Sequence, residues 1–433
     1  MKEIAQLIFR KTLAAVDVRA TFESKLERRG PFIHAAGQHV DLRQYREILS
    51  VAIGKAAFAM AEGLDAVLAP DFRVRGILAN PSPPTRALPG WEMFVTGHPV
   101  PTAASFAAGE AILKFLAQTS EGTLIFFLLS GGGSSLVECP LDGSISLADF
   151  QKLHHILVTC GAPIEEINAI RKHLSATKGG RLALAAPGAL KITLGITDVP
   201  EGHESALASG PTLPDPTTIS DVERVVERYN LAGKLPASIR AALAPDSLVE
   251  TPKHGDPAFK HAHFTLLLGM HDLIHHAHLS AEAEGFNCVC DYSTDNWPIE
   301  RAADHLLEML ESMQRENPGK RVAVIADGEV SSPVTGDGIG GRNSAFVLAC
   351  VPKIAGKKIA VLSAGTDGVD GNSPAAGAIA DGGSLARAES MGLDPGDYFR
   401  RSDSFTFFER LGNALHTGPT GNNLRDLRIF LAW

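Results

Sequence analysis

A chain of 433 residues exceeds one typical domain, so two domains of roughly 200 residues each are expected. With 45% hydrophobic and 21% charged residues, it has the balance of a globular protein and enough apolar material for two cores. Its 40 Lys and Arg against 49 Asp and Glu leave a net charge of −9, which argues against nucleic acid as a partner but allows a local basic site for a small anion.

Residues 2–29 read as an amphipathic helix with Ile4, Leu7, Ile8, Ala15, Val18 and Phe22 on its inner face. Charge runs through this segment, so it does not read as a signal peptide. No apolar run approaches the roughly 18 residues that a membrane span needs. A cytoplasmic protein without a membrane partner is expected. The five cysteines, Cys139, Cys160, Cys288, Cys290 and Cys350, show no repeated zinc spacing and read as reduced, buried thiols. Cys288 and Cys290 alternate along a strand-like run, which puts both on one face as core packing.

Residues 48–53 form an apolar strand that runs into Gly54 and Lys55 and then a helix to residue 68, placing a cation at the turn. Residues 76–79 are the next strand. A proline-rich passage, 81–101, follows and contains Gly97-His98-Pro99; a loop of that length is usually functional. A helix over 102–118 precedes the run 124–129, a strand buried on both faces as in a parallel sheet. That strand ends in Ser130-Gly131-Gly132-Gly133-Ser134, whose N–H groups can crowd around an anion where any Cβ would block approach.

Two helices are expected over 147–160 and 163–186, the second carrying Arg171, Lys178 and Arg181 on one side as a basic wall. A strand over 191–197 runs into Asp198, and residues 218–243 read as helical. The polar, proline-bearing stretch 245–261 reads as a linker, which divides the chain into domains 1–245 and 262–433. A second series opens with the strand 264–268. It continues to a strand over 321–326 that ends at Asp327-Gly328-Glu329. The glycine loop 336–341 then leads to Arg342 and Asn343, and a strand over 358–362 leads to Asp367 and Asp370. Because strands and helices alternate throughout, both domains are expected to be α/β, each with a largely parallel sheet flanked by helices.

The strand ends collect Lys55, Arg171, Lys178 and Arg342 on the basic side and Asp198, Asp327, Glu329, Asp367 and Asp370 on the acidic side. Cations with N–H nests suit phosphates, and carboxylates suit Mg²⁺. Phosphoryl transfer needs positioning and charge neutralisation more than covalent help, so an ATP-dependent kinase fits better than a hydrolase. Competing motifs are weaker. Neither GxxxxGK[ST] nor a GxSxG elbow occurs. Residues 336–341 match GxGxxG but begin about ten residues after their strand and lack the acid expected about 20 positions on. His271 and His275, one turn apart but without a third ligand, read as a solvated helix face.

The ordered set VAIGKAA, GHPVPT, LLSGGGSSL, INAIRKHLSATKGGRLA, ITDVP, ASGPT, DGIGGRN, SAGTDGVDG and HTGPTGNNLRDL resembles the class II glycerate kinases over nearly the whole chain. The resemblance implies a Rossmann-like N-terminal domain followed by a MOFRL domain. It implies transfer of the γ-phosphate of ATP, with a divalent cation such as Mg²⁺, to the 2-hydroxyl of D-glycerate in a cleft between the domains. The products would be 2-phospho-D-glycerate and ADP. Members of the family often carry the name hydroxypyruvate reductase, so NAD(P)H-dependent reduction of hydroxypyruvate is the alternative. The resemblance also implies that Lys55 and Arg342 are the central catalytic cations.

Around these cations, Ser130, Gly131, Gly132, Gly133 and Ser134 are expected to donate N–H bonds, with His98 and Asn343 in the same binding set. Asp198 or Asp367 holds Mg²⁺ or accepts the hydroxyl proton, with Asp327, Glu329 and Asp370 completing the metal set. Arg171 or Lys178 pairs with the glycerate carboxylate. Glycerate and nucleotide are then the partners, and a homodimer is compatible with this reading. Three departures stand out from the family pattern. Thr102 replaces an acid after Pro101, the loop after Asp198 carries Glu201 and Glu204 in place of an aspartate pair, and Ala345 follows where a glutamate is usual.

Overall fold

The long helix expected over residues 2–29 breaks. Helices Lys2–Ala15 and Val18–Lys25 are followed by an antiparallel ribbon of β1 (Glu27–Arg29), β2 (Phe32–Ala35) and β3 (Gln38–Asp41). The break at Val16 and Asp17 coincides with a division of the protein into two compact units, Val18–Leu267 and a composite of Met1–Asp17 with Leu268–Trp433. The linker-based boundaries of 1–245 and 262–433 differ from this division, because the first helix groups with the C-terminal residues. The computed structural model describes every residue except 198, 200, 201 and 423.

The Val18–Leu267 unit is built on β4 (Glu47–Ile53), β5 (Val74–Asn80), β6 (Trp91–Val95), β7 (Thr123–Leu129), β8 (Leu190–Ile196) and β9 (Ala262–Leu268), in the order β6-β5-β4-β7-β8-β9. The β4/β5, β4/β7, β5/β6 and β7/β8 pairs are parallel. Every residue of β7 is buried, as its unbroken apolar run requires when helices cover both faces. Leu49, Val51 and Ile53 of β4 and Ile125, Phe127 and Leu129 of β7 pack with Ala108, Ile112 and Leu116 of the helix Ala103–Leu116. Each such leucine or phenylalanine contributes about 1.5–3 kcal/mol by leaving water.

Phe264–Leu268 was expected to open the second domain, but it belongs to β9 at the edge of this first sheet. The Lys191 N–H donates to His261 O at 2.8 Å. A Cβ at Gly195 would meet Leu266 and Phe264 at 3.0 and 3.3 Å, so glycine in β8 makes room for these side chains. Two expected helices are shorter than their periodicity suggested. The stretch 163–186 splits into Ile164–Leu174 and Arg181–Leu184, interrupted where Gly179 and Gly180 take positive φ. The stretch 218–243 splits into Ile219–Arg228 and Ala237–Ala242, with Asn230 at φ +48° between them.

The composite unit carries β10 (Asn287–Asp291), β11 (Val322–Asp327), β12 (Ile359–Gly365), β13 (Gly377–Asp381), β14 (Ala414–Leu415) and β15 (Asp426–Ala432), in the order β10-β11-β15-β12-β13-β14. The α/β class holds, but the expectation of a largely parallel sheet does not. Only β10/β11 pairs in parallel, whereas β11/β15, β15/β12, β12/β13 and β13/β14 are antiparallel. The cause is the last strand. β15 inserts between β11 and β12 and runs against both, so its first residues arrive beside their last ones. Its core joins Val322, Val324 and Phe430 to Phe346 and Val347 of the helix Arg342–Cys350.

Candidate active site

In the Val18–Leu267 unit, β4 and β7 end side by side and their turns interlock. Ser130 N–H donates to Ile53 O at 2.9 Å, Lys55 N–H to Gly131 O at 2.9 Å, and Ala56 N–H to Ser130 Oγ at 3.0 Å. Gly54 has φ +133°, and a Cβ there would lie 2.1 Å from Ser130 Oγ, so no other residue fits. Ser130 is fully buried and spends both its N–H and its hydroxyl on this turn. It shapes the loop from beneath, which corrects its expected place among the groups that face a ligand.

Among the described residues, the N–H groups of Gly131, Gly132, Gly133 and Ser134 find no backbone acceptor. Gly132, at φ +82°, opens the short helix Gly133–Leu136, and these N–H groups form a nest for an anion. Lys55 and His98 flank it, since a Cβ on Gly132 would lie 3.4 Å from Lys55 Cγ and 3.3 Å from His98 Cε1. His98 Nδ1 lies 3.0 Å from Ser135 Oγ. Burial, assisted by the Lys55 charge, lowers the His98 pKa and holds the imidazole neutral. Ser134 Oγ meets Ser209 Oγ at 2.8 Å, and Ser209 Oγ donates to Asn168 Oδ1 at 3.4 Å. Ala208 and Ser209 both have positive φ, 49° and 61°, a strain rarely kept in non-glycine residues except where the surroundings impose it.

Arg171 stands one turn after Asn168 on the helix Ile164–Leu174, and its Nη2 donates to His154 Nδ1 at 3.0 Å. Burial and the Arg171 charge push the His154 pKa down to about 4, so a neutral ring accepts this bond. Lys178 and Arg171 do not share the expected helical wall, because the helix stops at Leu174. Lys178 is 2% exposed, ion-paired to buried Glu138 and bonded to Val137 O at 3.1 Å. That corrects its expected role as a carboxylate-binding cation, since its ammonium is already committed. Lys172 is similarly paired with Asp215 at 3.0 Å. A cavity of about 630 Å³ lies elsewhere in this unit, lined in part by Leu213, Phe259, Lys260 and Phe264, and none of the nest residues borders it.

In the composite unit, the end of β11 gathers a second set. Arg342 Nε donates to Asp426 Oδ2 at 2.6 Å and its Nη1 to Glu329 Oε2 at 2.7 Å. Burial works against the Arg342 charge, but Asp426 and Glu329 overcome it and raise its pKa. Arg425 Nη2 donates to Asp295 Oδ1 at 2.7 Å, and the Glu329 N–H donates to the same oxygen at 2.8 Å. Fully buried Arg428 donates to the carbonyls of Asp327 and Gly328 at 3.0 and 2.7 Å. Asp327 is 2% exposed, and its Oδ2 has no hydrogen-bond partner among the described residues. Burial pushes its pKa up to about 6. Asp367 stands close by: a Cβ on Gly365 would lie 3.1 Å from Asp367 Oδ1 and 3.6 Å from Asp426 Oδ1.

Two further expected site residues serve the fold. Asp370 accepts from the Asn343 and Ser344 N–H groups at 2.9 and 2.8 Å and from Ser344 Oγ at 2.6 Å. Both its oxygens cap the helix Arg342–Cys350, where a carboxylate complements the helix dipole, so it does not join a metal set. A Cβ on Gly341 would lie 2.3 Å from Asp370 Oδ1, which explains the second glycine before Arg342. Asn343 is buried and accepts from Ser363 Oγ at 2.6 Å, which removes its side chain from the expected binding set. Among the described residues no group of three or more His, Cys, Asp or Glu side chains is placed to hold a metal ion. Asp198 and Glu201 lie outside the described residues. Thr102 caps the helix Ala103–Leu116, its N–H donating to Ser105 Oγ at 3.0 Å, and Ala345 lies within the helix Arg342–Cys350.

Sequence reasoning missed Asn168, His154, Ser209, Asp295, Asp426, Arg425 and Arg428. Asn168 and Arg171 share helical spacing within one motif, a signal that could have been used. Asp426 and its neighbours precede an apolar strand instead of following one, so a search of strand ends passes over them.

The residues 4–244 match a domain of unknown function (DUF4147), and residues 322–426 match the MOFRL family. The chain is 35% identical to a D-glycerate 2-kinase of Thermotoga maritima, over 89% of this chain and 90% of that protein. It is 30% identical to a glycerate 2-kinase of Pyrococcus horikoshii, over 88% and 87% of the two chains. A relative in Agrobacterium vitis, 36% identical over 88% of this chain and 86% of its own, is named as a hydroxypyruvate reductase. The crystal structure of a glycerate kinase from Thermotoga maritima superimposes with a TM-score of 0.86 at 33% identity, covering 100% of this chain and 99% of that one. No helix among the described residues is long and apolar enough to cross a membrane.

Proposed function

We propose that this chain, which belongs to the MOFRL-containing glycerate kinase family, transfers the γ-phosphoryl group of ATP to the 2-hydroxyl of D-glycerate, giving 2-phospho-D-glycerate and ADP. The observation that carries this reading is the nest of N–H groups from Gly131 to Ser134, flanked by Lys55 at the ends of β4 and β7. Oriented N–H donors with a fixed cation suit a phosphoryl group whose charge spreads over its equatorial oxygens.

In this mechanism Lys55 neutralises charge on the transferring group and the nest holds its oxygens, and Arg342 is the other cation assigned to catalysis. Arg171, kept cationic beside neutral His154, pairs with the glycerate carboxylate. Its planar fork matches that group in a bidentate way. Neutral His98 accepts or donates a hydrogen bond without adding charge. Asp198 or Asp367 accepts the hydroxyl proton. Mg²⁺, when bound, would neutralise phosphate charge, and one or two protein carboxylates would suffice to hold it beside the nucleotide. Asp327 fits that need best, since its Oδ2 lacks a partner while Glu329 and Asp370 are engaged.

The reductase reading draws on the relatives' names and on the GxGxxG match at residues 336–341. In that loop the close approaches are to the chain itself. A Cβ on Gly336 would lie 2.5 Å from Arg401 O, one on Gly338 2.6 Å from the same oxygen, and one on Gly341 2.3 Å from Asp370 Oδ1. These glycines are accounted for by packing, which favours phosphoryl transfer.

Product identity tests the proposal. Purified protein is incubated with ATP, Mg²⁺ and D-glycerate, and enolase is added without phosphoglycerate mutase. Phosphoenolpyruvate is expected. A parallel reaction with hydroxypyruvate and NADH or NADPH is expected to leave nicotinamide absorbance unchanged. Nicotinamide oxidation without phosphoenolpyruvate would overturn the kinase reading.

A further inference from the structure

The five cysteines are all unpaired by disulfides, but only Cys350 is buried, whereas Cys139, Cys160, Cys288 and Cys290 are partly exposed. This corrects the expectation of buried thiols throughout. Cys290 differs from the rest in its partners. It lies on β10, an edge strand of the composite unit, and its Sγ is 3.4 Å from His278 Nδ1 on the helix Met270–Ala283. On the far side of the same ring, His278 Nε2 is 3.3 Å from Glu282 Oε1, one turn further along that helix. Glu282 stands as a counter-charge on the Nε2 side of the ring, and Nδ1, the nitrogen that faces the thiol, is placed to take its proton. A thiol, an imidazole and a carboxylate thus follow one another across β10 and this helix. Cys288 lies two residues earlier on the same face of the strand, its Sγ directed to Val289 O at 3.8 Å.

We propose that Cys290 is a reactive thiolate, set by His278 and Glu282 for attack on peroxides and soft electrophiles. The Sγ proton passes to His278 Nδ1, and the resulting imidazolium is held by Glu282. With hydrogen peroxide, Sγ attacks one oxygen, the S–O bond forms and the O–O bond breaks. Hydroxide leaves and takes the proton from His278 as water. Cysteine is oxidised to the sulfenic acid and peroxide is reduced. The electrostatics agree. The neighbouring Cys288 thiol and His278 pull the Cys290 pKa down against burial and the charge of Asp327, whereas burial raises Cys139 and pushes Cys350 up to about 12.

Native full-length protein is treated with iodoacetamide at pH 7, and each cysteine is followed by peptide mass spectrometry. Cys290 is expected to label at least about tenfold faster than Cys139 and Cys160, because the thiolate is the nucleophile. His278→Asn is expected to slow Cys290 about tenfold. Glu282→Gln, at an exposed position where packing is untouched, is expected to slow it severalfold. Dimedone trapping after brief peroxide exposure is expected to mark Cys290 first. Labelling of Cys290 no faster than Cys160, an advantage that persists in guanidinium, or indifference to both variants would overturn the proposal.

Discussion

At the ends of β4 and β7 backbone N–H groups and the His98 ring stand beside the Lys55 cation, and other charges of this unit are buried in separate pairs. Lys178 answers Glu138, Lys172 answers Asp215, and His98 and His154 are held uncharged. At the end of β11 the charges form one connected set instead, with Arg342, Arg425 and Arg428 threaded among Asp295, Asp327, Glu329 and Asp426. The difference follows from strand direction. A parallel sheet delivers only strand ends and their turns to one edge, so backbone N–H groups dominate. An antiparallel insertion also delivers the start of β15, and with it three charged side chains within four residues. A phosphoryl-transfer enzyme has use for both, a cradle of N–H groups for phosphate oxygens and a charged frame for an arginine.

The largest expected effect separates stability from chemistry. Lys178→Ala strands the Glu138 carboxylate in the core and should cost about 3–5 kcal/mol in urea unfolding. Loss of less than 1 kcal/mol would mean that this pair is not a structural one. Next come the cations assigned to chemistry. Lys55→Ala and Arg342→Ala should each lower kcat by about 10²–10³-fold, the cost of removing one preorganised electrostatic contact. A variant that keeps near-normal kcat would remove that cation from the chemistry.

Smaller effects carry opposite signs in the two sites. Asp327 has its folded pKa raised from 3.8 to about 6. Its contribution to stability is therefore complete below pH 3.8 and is lost as pH rises through about 6. At pH 7 the ionised group costs about 3 kcal/mol at 1.36 kcal/mol per unit, so Asp327→Asn should raise the midpoint of unfolding while lowering Mg²⁺-supported turnover. A variant both less stable and fully active would remove Asp327 from the site. His154 has its pKa lowered from 6.5 to about 4, so its contribution is complete above pH 6.5 and lost as pH falls toward 4. His154→Gln should flatten the loss of stability between pH 6.5 and 4 in matched urea titrations. An unchanged acid slope would show that another group causes it.

The alternation of apolar runs, glycine turns and helical periodicity was enough to place β4, β5, β7, β8 and β11 and the turns after them. These features are local: a buried strand needs apolar side chains on both faces, and a turn at φ +133° needs Gly54. For the same reason Lys55, the glycine nest and Arg342 could be singled out, since each lies beside such a turn. What the tertiary structure decided is which charges are spent. Lys178, Asp370 and Asn343 look from the sequence like ligand-binding groups, yet Glu138, a helix N-terminus and Ser363 have claimed them. Those partners lie 20 or more residues away in the chain, and no local pattern reports them. The reversed β15 is the same kind of fact. A strand's residues set its burial, but its direction depends on which neighbours remain unpaired when it joins the sheet, and that is a property of the assembled fold.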